Sequence, residues 1–491
     1  MRSALIHIRL TALAFLGLAV LGSEIAAAQS QVLTKEYDNG GVYEGDFVDG
    51  LQHGYGVYRL PNGYEYAGAW VSGQILGEGR ATFPDGSVYV GNFLNGRPEG
   101  QGKLTYPSGD IYEGTWKAGV IDGFGVAEYA NGMRYEGDFV NGKQHGTGRL
   151  TRPSGYAYEG AWVDGVKQGI GRIDFADGSY FEGDISAGLM DGSGILVSAD
   201  GTQYEGAWSA GQVHGEGRLT QPDGTVYEGS FANGRREGLG RLVLANGDVY
   251  VGGFRDDKRD GAGTFTKQGG FAYTGEWSED QIEGMGKAVH PDGSVYEGSF
   301  LGGRAHGDGS ITYPDGSSYT GKWADGVISG QGTATYENGA QYSGEFADGR
   351  SHGQGELVSS DGSSYTGEWQ NGLRHGEGVA VYTDGTRYEG WFEAGKRSGQ
   401  GTLVLSQGHI MEGRWSDGLL NGRGRMVYPN GDIYLGSFVE GRRQGSGKMT
   451  FAQGQVYEGL WENDQPAEFG SASPLPSPPS AIPPQPDLST E

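Results

Sequence analysis

The sequence predicts an all-β protein, an elongated single-layer antiparallel β-meander of two-stranded hairpins, twisted or coiled into a rod. Three observations lead there. A frame of 23 residues that starts at Tyr43-Glu44-Gly45-Asp46-Phe47 returns without a slip through Tyr66 and Tyr89 to Tyr457-Glu458-Gly459-Leu460-Trp461. With each Tyr as position 1, glycine fills the third position in all nineteen starts and positions 12, 14 and 21 in all eighteen complete units. Between the glycines the pattern alternates: Tyr, Gly and Trp or Phe at positions 1, 3 and 5, then Gly, an apolar residue and Tyr, Phe or Leu at 14, 16 and 18. A period of two belongs to strands with one buried and one solvated face. A fixed internal period belongs to folds whose units are completed by their neighbours.

Taken in order, residues 1–28 read as a secretory signal peptide. Arg2 and Arg9 precede an apolar run from Leu10 to Leu21, and Ala26-Ala27-Ala28 offers a small-residue cleavage site before Gln29. The chain has no Cys, which leaves out disulfides and thiol chemistry and agrees with a periplasmic or extracellular destination. Residues 29–42 read as a linker and a capping half repeat. Residues 43–463 form the array of eighteen repeats and a final half. In each unit Asp49-Gly50 or Asn95-Gly96 opens one connection and Pro84-Asp85-Gly86 or Pro314-Asp315-Gly316 closes the other, the turn chemistry of β-hairpins. Residues 464–491 turn to Pro, Ser and Ala, as in Ser473-Pro474-Leu475-Pro476-Ser477-Pro478-Pro479. Such a composition reads as a disordered, extended tail.

Side-chain sizes suggest a register. Trp at position 5 accompanies a small residue at position 16, as in Trp70 with Ala81 and Trp116 with Ala127, and Phe accompanies a larger one, as in Phe93 with Leu104. Position 5 is therefore expected to face position 16, and the third-position glycine to face position 18. Trp and Phe also alternate from unit to unit, with one stumble where Phe254 follows Phe231. That implies a duplicated element of two hairpins, in two blocks that meet near residues 231 to 254.

The Tyr-Glu-Gly-x-Trp-x-x-Gly, Gly-x-Gly and Pro-Asp-Gly elements at this spacing resemble the MORN repeat family over residues 43–463. The resemblance implies an elongated antiparallel array of MORN-type hairpins that serves as a scaffold, in some members a homodimer, with phospholipid binding proposed for several. Familial lipid binding uses basic surface, and here the formal charge is −26. An acidic chain is repelled by anionic head groups and by nucleic acid, so no nucleic acid and weak or no anionic lipid are expected as partners.

No catalytic, cofactor or metal site stands out. His53, His145, His214, His306, His352 and His375 recur at position 11, but a metal needs three or four converging ligands and these come mostly from units that are not adjacent. Asp85, Asp177, Asp223, Asp292, Asp315 and Asp384 recur at position 20, one acid per turn where calcium takes six to eight oxygens. They read as turn residues. No Gly-x-Gly carries the Lys and Ser of a phosphate loop, and no carboxylate pair stands apart from its copies. The expectation is a protein that is not an enzyme and has no cofactor.

The aromatic stripe is the candidate interaction surface: Tyr66 and Trp70, Tyr112 and Trp116, Tyr158 and Trp162, Tyr204 and Trp208, Tyr273 and Trp277, Tyr319 and Trp323, Tyr365 and Trp369, Trp415, and Tyr457 and Trp461. Core packing is its plain role. A groove for a partner is the sharper one, since Tyr and Trp suit interfaces and also stack on sugars. The leading function is an exported scaffold that binds protein partners or itself. The alternative is an envelope carbohydrate- or lipid-binding module, with polysaccharide met by the aromatic face.

Overall fold

A computed structural model describes residues 32–467. The signal-peptide segment and the tail from residue 468 onward lie outside them. Every regular element among the described residues is a strand, as the alternation predicts. The chain divides into two units, one holding residues up to 178 with 185–188, the other 179–184 with residues from 189 onward. The division does not coincide with the stumble at Phe231 and Phe254.

In the first unit thirteen strands, from Leu33–Glu36 to Val166–Asp174, pair antiparallel in chain order. In the second, strands from Leu189–Val197 to Gln465–Pro466 do the same. The strand Tyr180–Ser186 lies where the two units divide. Each repeat supplies a short strand and a long one, as in Arg134–Val140 and Lys143–Thr151. Asn141 and Gly142 join them with φ of 52° and 78°, the all-positive turn whose twist matches the strands it connects. The return turn to the next repeat is closed by Gly155 N–H donating to Arg152 O at 3.0 Å and Arg152 N–H donating to Tyr156 O at 2.8 Å.

The register differs from the one the side-chain sizes suggest. Tyr135 faces Leu150, Gly137 faces Gly148, and Phe139 faces Gln144. Position 16 thus faces position 1, and glycine faces glycine. Between Gly148 and Gln144 lie three residues opposite a single Asp138, a β-bulge that includes Gly146 at φ 62°. Such a bulge shifts the pairing and bends the strand. Position 16 also meets the aromatic of the following repeat, with Tyr58 and Trp70 at 6.1 Å and Phe265 and Trp277 at 6.0 Å between ring centroids. The Trp-with-Ala correlation is therefore the alternation of the two-hairpin period and not a cross-strand pair.

Facing glycines have a steric cause. The ring of Tyr135 lies across Gly137 and Gly148, and its hydroxyl donates to Asp138 O at 3.0 Å. A Cβ on Gly148 would overlap that ring, and one on Gly137 would run into the backbone of Gly148 and Thr147. Gly148→Ala is accordingly expected to cost about 1–3 kcal/mol by overpacking. Removing the ring with Tyr135→Ala should erase most of that increment, because the two changes share one volume. The chain contains its own control. Met411 replaces Tyr in one repeat, and a Cβ on Gly424 there meets Glu412 O at 2.9 Å and the Leu420 and Phe438 side chains at 3.2 Å, against 2.2 Å to the Tyr135 hydroxyl at Gly148. Gly424→Ala should be the milder substitution in chemical denaturation; equal penalties at Gly148 and Gly424 would contradict the ring-over-glycine account.

Candidate interaction faces

The tyrosines and tryptophans of the stripe form a packed ladder. Each Tyr touches the position-5 ring of its own repeat and, except at Tyr158 and Tyr457, that of the next, edge to face. In the first unit the series runs Tyr66 to Trp70 at 5.6 Å, Tyr66 to Phe93 at 5.0 Å, Tyr89 to Trp116 at 5.0 Å and Tyr135 to Trp162 at 5.3 Å. In the second it includes Tyr273 with Trp277 and Tyr319 with Phe346. Such contacts add about 0.5–1.5 kcal/mol per pair to the area they bury. The nine tryptophans at position 5 each donate their indole N–H to the carbonyl of the position-14 glycine in the preceding repeat, from Trp70 to Gly56 at 3.3 Å through Trp415 to Gly401 at 3.0 Å and on to Trp461 with Gly447.

The result is burial. Tyr66, Tyr158, Tyr273 and Tyr365 are 0% exposed and Trp70, Trp116, Trp162, Trp208, Trp277, Trp323, Trp369, Trp415 and Trp461 at most 8%. Tyr112, Tyr204 and Tyr319 are buried with them, and Tyr457 in the last repeat is half-buried. The polar ends of these rings are already engaged with backbone carbonyls. Burial also raises the phenol pKa, to about 12 at Tyr89, Tyr112 and Tyr158.

Position 10 covers this face, and its chemistry varies. Lys167 lies over the rings of Tyr156 and Tyr158, at 4.6 and 4.8 Å from their centroids, and donates to the Tyr156 hydroxyl. Burial, with Arg152 nearby, lowers its pKa to about 8. Arg236, Arg259 and Arg443 occupy the same position. Each pairs with the position-8 residue of the next repeat, and those are the three places where Asp replaces glycine: Asp257, Asp280 and Asp464. Where position 10 is only Ser351, a recess of about 290 Å³ opens, lined by Tyr336, Leu357, Trp369 and Arg374.

Three of the recurring His residues and the turn Asp residues have structural partners, whereas His352 Nδ1 is buried without a hydrogen bond. His53, His145 and His306 accept through Nδ1 the turn N–H of Ser72, Asp164 and Asp325 in the next repeat, at 3.4–3.5 Å. Glu99, Gln168 and Asp191 accept the same N–H from the same position, so the requirement is an acceptor and not imidazole. Asp85, Asp223, Asp292, Asp315 and Asp384 accept the N–H two residues on, at 2.8–2.9 Å, the Asx-turn geometry. Hydrogen bonds from Ser87 and Ser317 hold the carboxyls of Asp85 and Asp315 below their ordinary pKa. Among the described residues no three His, Asp or Glu side chains come together as metal ligands.

The opposite face is the exposed one, and the sequence pattern understates it. Positions 2, 4, 13 and 15 point there, and large apolar residues stand among them: Tyr55, Phe124 and Ile170 in the first unit, and Leu239, Met285, Trp391, Leu435 and Leu460 in the second. Ile170 is 76% exposed and Trp391 is 48% exposed. The signal was present as departure from the consensus. Position 13 is elsewhere mostly Glu, Gln, Ser or Thr, and Trp391 is the tenth tryptophan, outside the series at position 5. Both unit surfaces carry concave floors of paired glycine backbone on this side, one lined by Gln101, Lys103, Glu113 and Phe124 and another by Met285, Lys287, Glu297 and Asp308.

An all-β array of identical hairpins, closed on its aromatic side and open on the other, defines an interaction-repeat module. The chain belongs to the MORN repeat family, whose model matches eighteen successive segments from 43–63 to 434–456. MORN repeats are non-catalytic units that commonly mediate protein or membrane interactions. No curated protein matches the chain. Among solved structures it is similar to the TCP10 domain of CPAP from Danio rerio, at 16% identity over 41% of this chain and 94% of that one, with a TM-score of 0.25. It is also similar to the TCP domain of SAS-4 from Drosophila melanogaster, at 15% identity over 44% and 99%, with a TM-score of 0.18. Scores this low carry no functional argument.

Proposed function

We propose that this chain is an exported, non-enzymatic scaffold of the cell envelope that holds protein partners. The observation that carries this is internal consumption of its chemistry: aromatic rings, turn aspartates and three of the recurring histidines are engaged by the repeats themselves, while the face with positions 2, 4, 13 and 15 stays open along the array. A surface repeated in this way offers many weak contacts of one kind, which suits multivalent binding of a protein and not a single reaction. Polysaccharide bound by the aromatic face would need indole rings that neighbouring side chains already cover, so the protein-partner reading is preferred.

Light scattering on the chain from residue 29 onward, with capture from envelope extract, tests the scaffold. A partner or a homo-oligomer is expected, and a strict monomer that retains no protein would overturn it. Export is tested by the mass of the N-terminal peptide in the fractionated cell: a mature end at Gln29 outside the cytoplasm supports it, and an intact Met1 in the cytoplasm refutes it.

A further inference from the structure

In the second unit, position 10 places an arginine over an indole at Arg259, Arg397 and Arg443, and these sites share their walls. Arg259 lies 4.3 Å from the ring centroid of Trp277, Arg397 4.9 Å from that of Trp415 and Arg443 4.6 Å from that of Trp461. Each also lies over the position-1 Tyr of its own repeat, Tyr250, Tyr388 or Tyr434, at 5.7–5.8 Å. Each donates through Nη2 to the backbone carbonyl of the position-8 residue in the next repeat: Asp280 at 2.9 Å, Gly418 at 2.9 Å and Asp464 at 2.7 Å. The site persists where position 8 is Gly418, so a carboxylate there is not part of what it requires. A planar guanidinium suits such walls, because it stacks on an indole while its N–H groups donate in the plane.

The recess beside Ser351 has the same walls. Tyr342, Trp369 and Gly372 line it from the positions that Tyr434, Trp461 and Asp464 hold around Arg443. Tyr336 lines it from the position of Tyr428, whose ring centroid is 5.7 Å from the Arg443 guanidinium. Gly372 N–H donates to Ser351 O at 2.9 Å, and Gly418 N–H to Arg397 O at 3.0 Å, so both turns bring position 8 to the same place. What differs is side-chain length: Ser351 ends where the arginine stems continue, and about 290 Å³ remains. A cavity of about 150 Å³ takes a benzene molecule, so this one has room for a guanidinium and its alkyl stem. Tyr428 is 3% exposed beneath Arg443, whereas Tyr336 beside the recess is 42% exposed. Arg374 also borders the recess. Neighbouring guanidiniums are already part of the fold, since Arg374 and Arg397 are consecutive position-10 residues, both buried, with Gly395 and Gly418 at position 8.

We propose that this recess binds the guanidinium of an arginine side chain from a partner protein, laid over Trp369 between Tyr342 and Tyr336, with its N–H groups donating to Gly372 O. The incoming side chain completes this repeat as Arg397 and Arg443 complete theirs. Only the origin of the arginine rests on the scaffold reading; the preference for a guanidinium rests on the repeats themselves. The formal charge of −26 draws a cationic segment toward the chain.

The test titrates the full chain with N-acetyl-arginine methylamide in a calorimeter, beside the matching lysine and leucine amides and tetramethylammonium. The arginine probe is expected to bind about tenfold more tightly than the leucine one, and more tightly than either ammonium probe. Ser351→Arg supplies the guanidinium from within, and Ser351→Leu reproduces the fully buried Leu420 of the same position. Each should abolish binding while circular dichroism and the melting transition report a folded chain. Binding that survives both fillers, an arginine probe no tighter than the leucine one, or an ammonium probe as tight as arginine would each overturn the proposal. A protein captured from envelope extract by a chain that ignores the arginine probe would keep the scaffold and remove this site. Probe binding without any captured protein would keep the guanidinium site and overturn its assignment to a protein partner.

Discussion

Arg443→Ala is expected to destabilise the C-terminal repeats by about 3–5 kcal/mol, the cost of leaving one member of a buried ion pair without its partner. The side chain of Arg443 is 1% exposed and that of Asp464 is 9% exposed. The two residues clasp each other four ways. Asp464 Oδ1 accepts from Arg443 N at 2.9 Å and from its Nε at 3.2 Å, Asp464 O accepts from its Nη2 at 2.7 Å, and Asp464 N–H donates to Arg443 O at 3.1 Å. The guanidinium also lies over Trp461, 4.6 Å from the ring centroid. Asp464 meanwhile sits at φ 68°, following Asn463 at 46°, backbone that glycine adopts at less cost. The pair Leu420 and Gly441 occupies the same two positions one repeat earlier, with Leu420 fully buried. The double variant Arg443→Leu with Asp464→Gly should therefore recover most of the loss, because it rebuilds an arrangement the chain already uses. Hydrogen exchange along Val456–Glu462, against that of the unaltered repeats near Tyr273, reads both effects locally. An alanine variant that exchanges like the parent, or a double variant no better than the single, would show that the clasp contributes nothing.

The same clasp shows how much of the molecule was legible in its sequence. The strands, both turns and the buried face follow from the period of two and the glycine frame, since those constrain the backbone directly. The three missing glycines at position 8 were visible too, at Asp257, Asp280 and Asp464, but their explanation lies 21 residues upstream at Arg236, Arg259 and Arg443. The relation runs one way, since Arg397 holds the same position and bonds Gly418 O with the glycine kept, so each Asp has its Arg but not each Arg its Asp. The register was what side-chain size could not supply. A bulge of two extra residues around the position-12 glycine moves the pairing by an amount that no volume argument contains, so Trp70 meets Ile75 and not Ala81. The same ignorance of register hid the role of His53 and Glu99 as acceptors for the next turn. It also left the aromatic stripe as the apparent interaction surface, because alternation tells which residues share a face but not how fully neighbouring repeats cover it. Trp391 and Ile170, side chains that do reach solvent, break the consensus and so look like noise in a pattern search.

Raising the pH above 10 is expected to unfold the array cooperatively, with tyrosine ionisation and loss of strand structure as one event. Burial holds the phenols of Tyr43, Tyr89, Tyr204, Tyr250 and Tyr296 at about 12, and raises those of Tyr66 and Tyr135 as well, from an ordinary value of 10.0. A folded pKa above the unfolded one means that the native chain keeps protons the unfolded chain would release. The stability these groups contribute is fully present below pH 10 and is lost as pH rises through about 12. The structural reason is that each hydroxyl donates to a carbonyl three residues on, as Tyr89 does to Asn92 O at 3.0 Å and Tyr250 to Gly253 O at 2.9 Å, and a phenolate cannot donate. Repetition makes the effect large, because every repeat with a Tyr at position 1 loses the same bond over the same interval and neighbours depend on one another. Lys167 works in the opposite sense. Its folded pKa of about 8 lies below the ordinary 10.5, so burial of its charge is a penalty at neutral pH that lifts as pH rises between those values. The parent should therefore gain slightly in stability from pH 8 to 10 before it collapses, and Lys167→Met should lack the gain and keep the collapse. Absorbance at 295 nm followed together with far-ultraviolet circular dichroism distinguishes the outcomes: coincident transitions above pH 10 agree with rings locked across the glycine pairs, whereas phenols that titrate near pH 10 while the strands persist would mean that the ladder is open to solvent.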